Sequence, residues 1–217
     1  YFRFLYLQEK SNKNHFSMPI GITGTGCHIP SVTTPNLDFA QHKFLNSDGS
    51  SLPQSNEVII EKFKKITGIS ERRYAEKEMN TSDLAFLAAE KAIEDAKLDK
   101  ETLDYIIVAH NFGDVSYGQN QGNTLPSLAT RVKNLLRIEN PQCVAYDILF
   151  GCPGWVEGII QANAFIKAGL AKKCLVIGAE ALSRVIDPHD RDSMIYSDGA
   201  GATIVEATEN GGEILAH

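Results

Sequence analysis

Residues 145–167 read AYDILFGCPGWVEGIIQANAFIK, and this stretch decides the fold. A short apolar run of strand length meets a small-residue turn, GCPG, and an almost uncharged helix-length segment follows at once. Gly151 and Gly154 bracket Cys152 and Pro153 in that turn; lacking Cβ atoms, they let other groups approach closely. A side chain at such a junction is aimed out of the sheet edge with a helix N-terminus behind it. The first-turn N–H groups and the helix dipole favour a thiolate there, and the Cys152 backbone N–H is suited to serve as one oxyanion-hole donor. The helix beyond Trp155 carries apolar residues almost all round (Val156, Ile159, Ile160, Ala162, Ala164, Phe165, Ile166), which predicts a central, buried helix. A plainer reading stands beside this one, since a lone cysteine in an apolar stretch is usually only a small buried hydrophobe.

The same alternation extends outward in both directions. IGITGTGCHI at 20–29 mixes β-branched residues with glycine and predicts a first strand. Residues 30–55, rich in Pro, Ser, Thr and Asn, predict loop with one helical turn. Asn56 to Thr67 carries Val58, Ile59, Phe63 and Ile66 at helical spacing and ends at Gly68. A second helix follows an N-cap at Thr81 or Ser82, with Leu84, Leu87, Ala88 and Ile93 on one face. LDYIIVA at 103–109 predicts a strand buried on both faces, and a polar loop from His110 to Thr124 leads to a helix over Leu125 to Leu136. KCLVIGAE and GAGATIVEAT predict two more strands, separated by the loop SRVIDPHDRDS. Strands alternating with helices indicate an α/β domain with a mainly parallel, mixed sheet and helices on both faces.

Composition narrows the function classes. The chain has 217 residues and a formal net charge of -6, against the basic surface that nucleic-acid binding requires. The cysteines at 27, 143, 152 and 174 form no C-x-x-C pair, which argues against a metal site or a disulfide framework and fits a reducing cytoplasm. Cys27, Cys143 and Cys174 lack the setting of Cys152 and read as structural. No apolar run reaches bilayer-spanning length, so no membrane partner is expected. GITGTGC lacks the dinucleotide fingerprint spacing, and SDGAGA at 197–202 lacks the Lys-Ser/Thr ending of a phosphate loop. Residues 1–17 have neither a long apolar core nor a cleavage site and read as an extension, disordered or artificial in origin. The domain begins at Met18 and runs to 217.

The ordered series ITGTGCHIP, TGISERR at 67–73, DYIIVA at 104–109, AYDILFGCPGWVEGI, KCLVIGAEALSRVIDPHDRDS and YSDGAGATIV at 196–205 resembles the β-ketoacyl-acyl-carrier-protein synthase III family. The resemblance implies a thiolase-like fold of two similar halves, of which this chain is the N-terminal one. It also implies that Cys152 takes an acyl group from a thioester before condensation with malonyl-acyl carrier protein in fatty-acid initiation. Coenzyme A or acyl-carrier thioesters are then substrates, no cofactor is permanently bound, acyl carrier protein is a partner, and the strand around Val144–Ile148 pairs in a homodimer. The family's histidine and asparagine belong to the second half, and nothing here matches them. His110 is expected at the pocket rim or in solvent. Arg184 matches an arginine near the cofactor mouth, and Leu125 falls near the residue that closes the partner's acyl pocket.

Two departures stand out. Lys62 and Ile66 fall near the places where coenzyme A-using members resemble one another in carrying Trp and Arg, and the 110–127 loop is longer than usual. Both favour an alternative, a related ketosynthase of a secondary pathway using non-acetyl donors. A non-catalytic half-fold module is the reading from another class.

Overall fold

The computed structural model describes residues 18–209 and 212–216; the extension expected over residues 1–17 lies outside them. In chain order the elements are β1 (Ile20–His28), β2 (Val32–Pro35), α1 (Asn56–Thr67), β3 (Glu71–Tyr74), α2 (Thr81–Asp95) and β4 (Tyr105–His110). After them come α3 (Leu128–Leu135), β5 (Val144–Leu149), α4 (Gly154–Lys167), β6 (Lys173–Glu180), β7 (Gly199–Ala207) and β8 (Gly212–Glu213). Among the described residues six strands form one sheet in the order β5-β4-β6-β7-β1-β8. β5, β4 and β6 are mutually parallel, β7 runs against both β6 and β1, and β8 runs against β1. The sheet is therefore mixed, with β1 pointing the same way as the parallel trio. The expected α/β class is observed, with two consecutive βαβ units, β4-α3-β5 and β5-α4-β6.

Successive side chains of a strand face opposite ways, and β4 and β6 use both faces. Ile106, Val108, Leu175 and Ile177 pack with Ala85, Ala88 and Ala92 of α2 and Leu128 and Val132 of α3. Ile107, Cys174 and Val176 pack with Ala162 and Ile166 of α4. Strands buried on both sides need continuous apolar sequence, which is why YIIVA and CLVIGA were readable as strands. The buried face of α2 is its alanines, not only the leucine row. A Cβ at Gly26 would stand 2.3 Å from the Ala88 carbonyl oxygen and one at Gly24 2.5 Å from that of Ala92, so helix and sheet meet at backbone distance. The helix begins at Thr81, and its cap is Asn80, one residue before the expected positions: the Asn80 N–H donates to the Asp83 carboxylate at 2.8 Å.

Two features depart from the expected pattern. The 30–55 region contains β2, which pairs antiparallel with β3, a contact spanning about 40 residues that no local pattern announces. A satellite core of Phe39, Phe44, Ile59, Ile60, Phe63 and Met194 joins α1 to the loop before β7. Buried Arg72 holds this lobe together, donating to the Met194 carbonyl at 3.0 Å, the Thr34 carbonyl at 2.9 Å and Asn36 Oδ1. Ile66, expected on the buried face of α1, is 82% exposed; the satellite core takes Ile59, Ile60 and Phe63 and does not extend to the last turn of the helix. Helix α4 is not enclosed: Val156 is 49% and Trp155 37% exposed among the described residues, so only one side of this all-round apolar helix is covered by the sheet.

Candidate active site

The site begins at the C-terminal end of the parallel trio. β5 lies at the sheet edge, and its ladder with β4 is extended by a hydrogen bond from the Phe150 N–H to the His110 carbonyl at 3.2 Å. The chain then turns sharply. The Gly154 N–H donates to the Gly151 carbonyl at 2.8 Å, and α4 starts at Gly154, two residues beyond Cys152. Proline disfavours helical backbone in the residue before it, so Pro153 keeps Cys152 out of the helix and on the turn. A Cβ at Gly154 would lie 2.8 Å from the Ala109 Cβ; glycine there allows the helix start to sit directly on β4. Trp155 fixes the first turn from the other side, its indole N–H donating to Thr203 Oγ1 at 3.2 Å.

Cys152 is exposed and faces a cleft of about 290 Å³ that it lines with Ala109, His110, Phe150, Trp155, Glu180 and Leu182. The other thiols differ. Cys143 and Cys174 are buried; burial, followed by the Asp104 and Cys143 charges, pushes the Cys174 thiol up to about 12. Burial likewise raises Cys143. Both stay protonated and behave as core residues, as expected. Cys27, expected to be structural, is exposed on β1.

His110 departs from expectation: its side chain is closed off from solvent. Nε2 lies 2.9 Å from Asp147 Oδ2, and Nδ1 accepts the Gly113 N–H at 3.0 Å. A backbone N–H can only donate, so Nδ1 is unprotonated and the ring hydrogen sits on Nε2, donating to Asp147. Asp147 also accepts the N–H groups of Leu128 and Ala129 at 2.7 and 2.8 Å, the exposed donors at the start of α3. Burial works to raise the Asp147 pKa. The His110 hydrogen bond and the two backbone donors outweigh it and hold the carboxyl below its ordinary value. Sequence reading passed over Asp147 because a single acid within an apolar strand carries no periodic signal.

The cleft also receives Glu180, whose Oε2 accepts from the Asn111 backbone N–H at 2.6 Å and from its side-chain amide at 2.8 Å. Beyond it runs the long polar loop, folded back on itself by reciprocal backbone bonds between Asp114 and Asn123 at 3.1 and 2.8 Å. Arg131 clamps that turn through Asp114 Oδ2 at 2.5 Å and Asn123 Oδ1 at 2.8 Å. Leu125, near the end of the loop, is 83% exposed. Arg184 gives its guanidinium to the carbonyls of Val115, Glu76 and Met79 at 3.1, 2.7 and 2.9 Å, and lies 5.4 Å from the Tyr117 ring centroid. Neither Arg184 nor Leu125 lines the Cys152 cleft, although Leu182, two residues before Arg184, does. Lys62 and Ile66 line a separate cleft of about 310 Å³ together with Phe63, Arg191 and Met194. Among the described residues no group of three or more His, Cys, Asp and Glu could hold a metal ion, and no helix is long and apolar enough to cross a membrane.

The family model for 3-oxoacyl-[acyl-carrier-protein (ACP)] synthase III matches residues 146–217, from inside β5 to the chain end. The chain is 38% identical over 197 residues to beta-ketoacyl-[acyl-carrier-protein] synthase III 1 of Vibrio parahaemolyticus, covering 90% of this chain and 55% of that protein. It is 39% identical over 194 residues to the beta-ketoacyl-[acyl-carrier-protein] synthase III of Neisseria gonorrhoeae, covering 89% and 54%. The crystal structure of 3-oxoacyl-[acyl-carrier-protein] synthase III from Aquifex aeolicus VF5 superposes with a TM-score of 0.70 at 34% identity, covering 88% of this chain and 55% of that one. The chain thus spans about half the length of the curated relatives it matches. Superposition and sequence identity agree: the chain is a homologue of β-ketoacyl-acyl-carrier-protein synthase III, with a thiolase-like α/β fold, over about half of that enzyme.

Proposed function

We propose that this chain carries the acyl-accepting half of a condensing enzyme, with Cys152 as nucleophile. The observation that carries the reading is the exposed thiol on the turn between β5 and α4, at the mouth of the cleft. In the proposed first step the Cys152 thiolate attacks the carbonyl carbon of an acyl thioester. The new carbon–sulfur bond forms as the donor thiolate, of coenzyme A or an acyl carrier protein, leaves. In the second, malonyl-acyl carrier protein loses CO₂, its carbanion attacks the acyl-cysteine, and the Cys152 thiolate departs. Splitting the condensation through a covalent intermediate replaces one difficult step by two easier ones. The Cys152 backbone N–H serves as one donor to the carbonyl oxygen. The histidine and asparagine of the decarboxylation step come from a second half of the enzyme, residues 18–217 forming the first half and 1–17 an extension.

Arg184 contributes to thioester binding through the loops it ties, since three carbonyls of those loops hold its guanidinium. Leu125 closes the acyl pocket of a partner protomer, a role supported by its exposure at the end of the loop. The edge position of β5, with Val144 and Leu149 exposed, supports pairing of that strand across a homodimer axis. The exposed side of α4 is the surface that a second half would cover. Acyl carrier protein is the protein partner, and the protein works in the cytoplasm in fatty-acid initiation.

One observation favours a second reading, a ketosynthase of a secondary pathway using non-acetyl donors. The α1 cleft carries Lys62 and Ile66 beside Arg191 and so presents no indole platform for an adenine ring. Incubating the protein with acetyl-CoA and with longer acyl-CoA and acyl-carrier thioesters, followed by intact mass measurement, separates these readings. Mass gain from acetyl-CoA alone favours fatty-acid initiation; gain only from longer acyl-carrier donors favours the second reading. A gain that persists in Cys152→Ala removes the nucleophile assignment. No gain from any donor favours a non-catalytic module.

A further inference from the structure

Buried His110 occupies the neck of the long loop, and each of its polar atoms holds a different segment. Its carbonyl accepts the Phe150 N–H, two residues before Cys152. Its Nδ1 accepts the Gly113 N–H at 3.0 Å, where the loop departs. Its Nε2 donates to Asp147, which in turn accepts the N–H groups of Leu128 and Ala129, where the loop returns three and four residues past Leu125. The ring thus ties both ends of the excursion to β4 and β5, and the backbone of the same residue anchors the cysteine turn. Glu180 reinforces the arrangement by holding Asn111 through both of its N–H groups.

We propose that His110 is a positioning residue for acyl-donor selection: by fixing both ends of the loop to β4 and β5, it sets how the loop presents Leu125 to the acyl pocket of the partner protomer. The proposal rests on the reading of Cys152 as nucleophile and Leu125 as pocket wall. It assigns His110 no proton transfer. The carbonyl bond to Phe150 survives any substitution, but the acceptor and the donor of the ring are two constraints that no aliphatic side chain reproduces. An amide reproduces only part of the ring: glutamine reaches the Nε2 position and keeps the bond to Asp147, whereas asparagine reaches the Nδ1 position and keeps the bond to Gly113.

The test compares full-length wild-type protein with His110→Gln, His110→Asn and Leu125→Ala. The rate of Cys152 acylation is followed by mass for acetyl and octanoyl thioesters, and the rate of Cys152 alkylation by iodoacetamide is followed in parallel. Both His110 variants are expected to raise the octanoyl-to-acetyl ratio of kcat/KM about tenfold, through KM, in the same direction as Leu125→Ala. Their alkylation rates are expected to stay within about twofold of wild type. An unchanged ratio in folded variants overturns the positioning role while leaving the nucleophile assignment standing. Absence of any acyl gain on wild-type Cys152 overturns both. For variants that fail to fold, the nitrogen chemical shifts of His110 in the wild type decide. A protonated Nε2 with a bare Nδ1 supports the neck, and the opposite tautomer, unable to accept from Gly113, overturns it.

Discussion

Replacing Asp147 by asparagine is the most informative single perturbation of this site. Oδ2 accepts from His110 Nε2 and from the Leu128 N–H, and Oδ1 accepts from the Ala129 N–H. An asparagine keeps one acceptor oxygen. In its better orientation that oxygen serves His110 and Leu128, and the new NH₂ group is turned against the Ala129 N–H. At least one buried donor loses its partner, at about 1–3 kcal/mol, and the two remaining bonds lose the charge that strengthened them. The sum is a loss of roughly 2–4 kcal/mol, equivalent to a fall in Tm of roughly 5–15 °C for a protein of this size. The pH dependence gives a second, independent reading. The Asp147 pKa is held below its ordinary value of 3.8, so its contribution is complete above the unfolded-state pKa and is lost as pH falls through the folded one. Urea melts at neutral pH should therefore separate wild type from Asp147→Asn, and the gap should close in acid below about pH 4. A loss under about 0.5 kcal/mol at neutral pH, or a gap that persists undiminished in acid, would refute the idea that this carboxylate organises the start of α3.

Two further expectations test the packing around the site. Gly158→Ala would normally gain helix propensity, but its Cβ would stand 2.6 Å from Val176 Cγ1 on buried β6. A net loss of about 1–2 kcal/mol is expected, and adding Val176→Ala should recover part of it; strictly additive losses in a thermal-melt cycle would show that the two side chains do not meet. Burial, followed by the Cys174, Tyr105 and Glu157 charges, pushes the Tyr146 phenol up to about 12. Its raised pKa means that its contribution is present below the unfolded-state value and is lost as pH rises toward 12. Alkaline absorbance titration should show Tyr146→Phe losing the last-ionising phenol, and loss of an ordinary one near pH 10 would contradict the buried geometry.

Much of the fold was legible because burial leaves a one-dimensional mark. Strands covered on both faces must be apolar throughout, so β4 and β6 appear as unbroken runs. The segment 145–158 announces a strand, a turn and a helix through the succession of a short apolar run, a glycine-bracketed turn and an almost uncharged stretch. The αL turn after α1, with φ of 74° at Gly68, was readable from glycine alone. The short strands β2 and β3 were not, since each is stabilised by pairing with the other and neither has a periodic pattern of its own. Alanines on α2 were hard to rank by hydrophobicity; their burial follows from Gly24 and Gly26 across the interface, which bring the backbones together.

The site divides along the same line. Cys152 could be singled out from sequence because its turn is local: Gly151, Pro153 and Gly154 determine its backbone within a few residues. Its setting could not. His110 looked like a rim or solvent residue, and Asp147 an unexceptional acid, until β4 and β5 paired side by side and brought the ring, the carboxylate and the first N–H groups of α3 within hydrogen-bonding distance. Sequence by itself determined the order of elements and the placement of one thiol on a strand-to-helix turn, since those depend on neighbours along the chain. Only the tertiary structure decided which polar groups are enclosed with it, because desolvation and hydrogen bonding depend on neighbours in space.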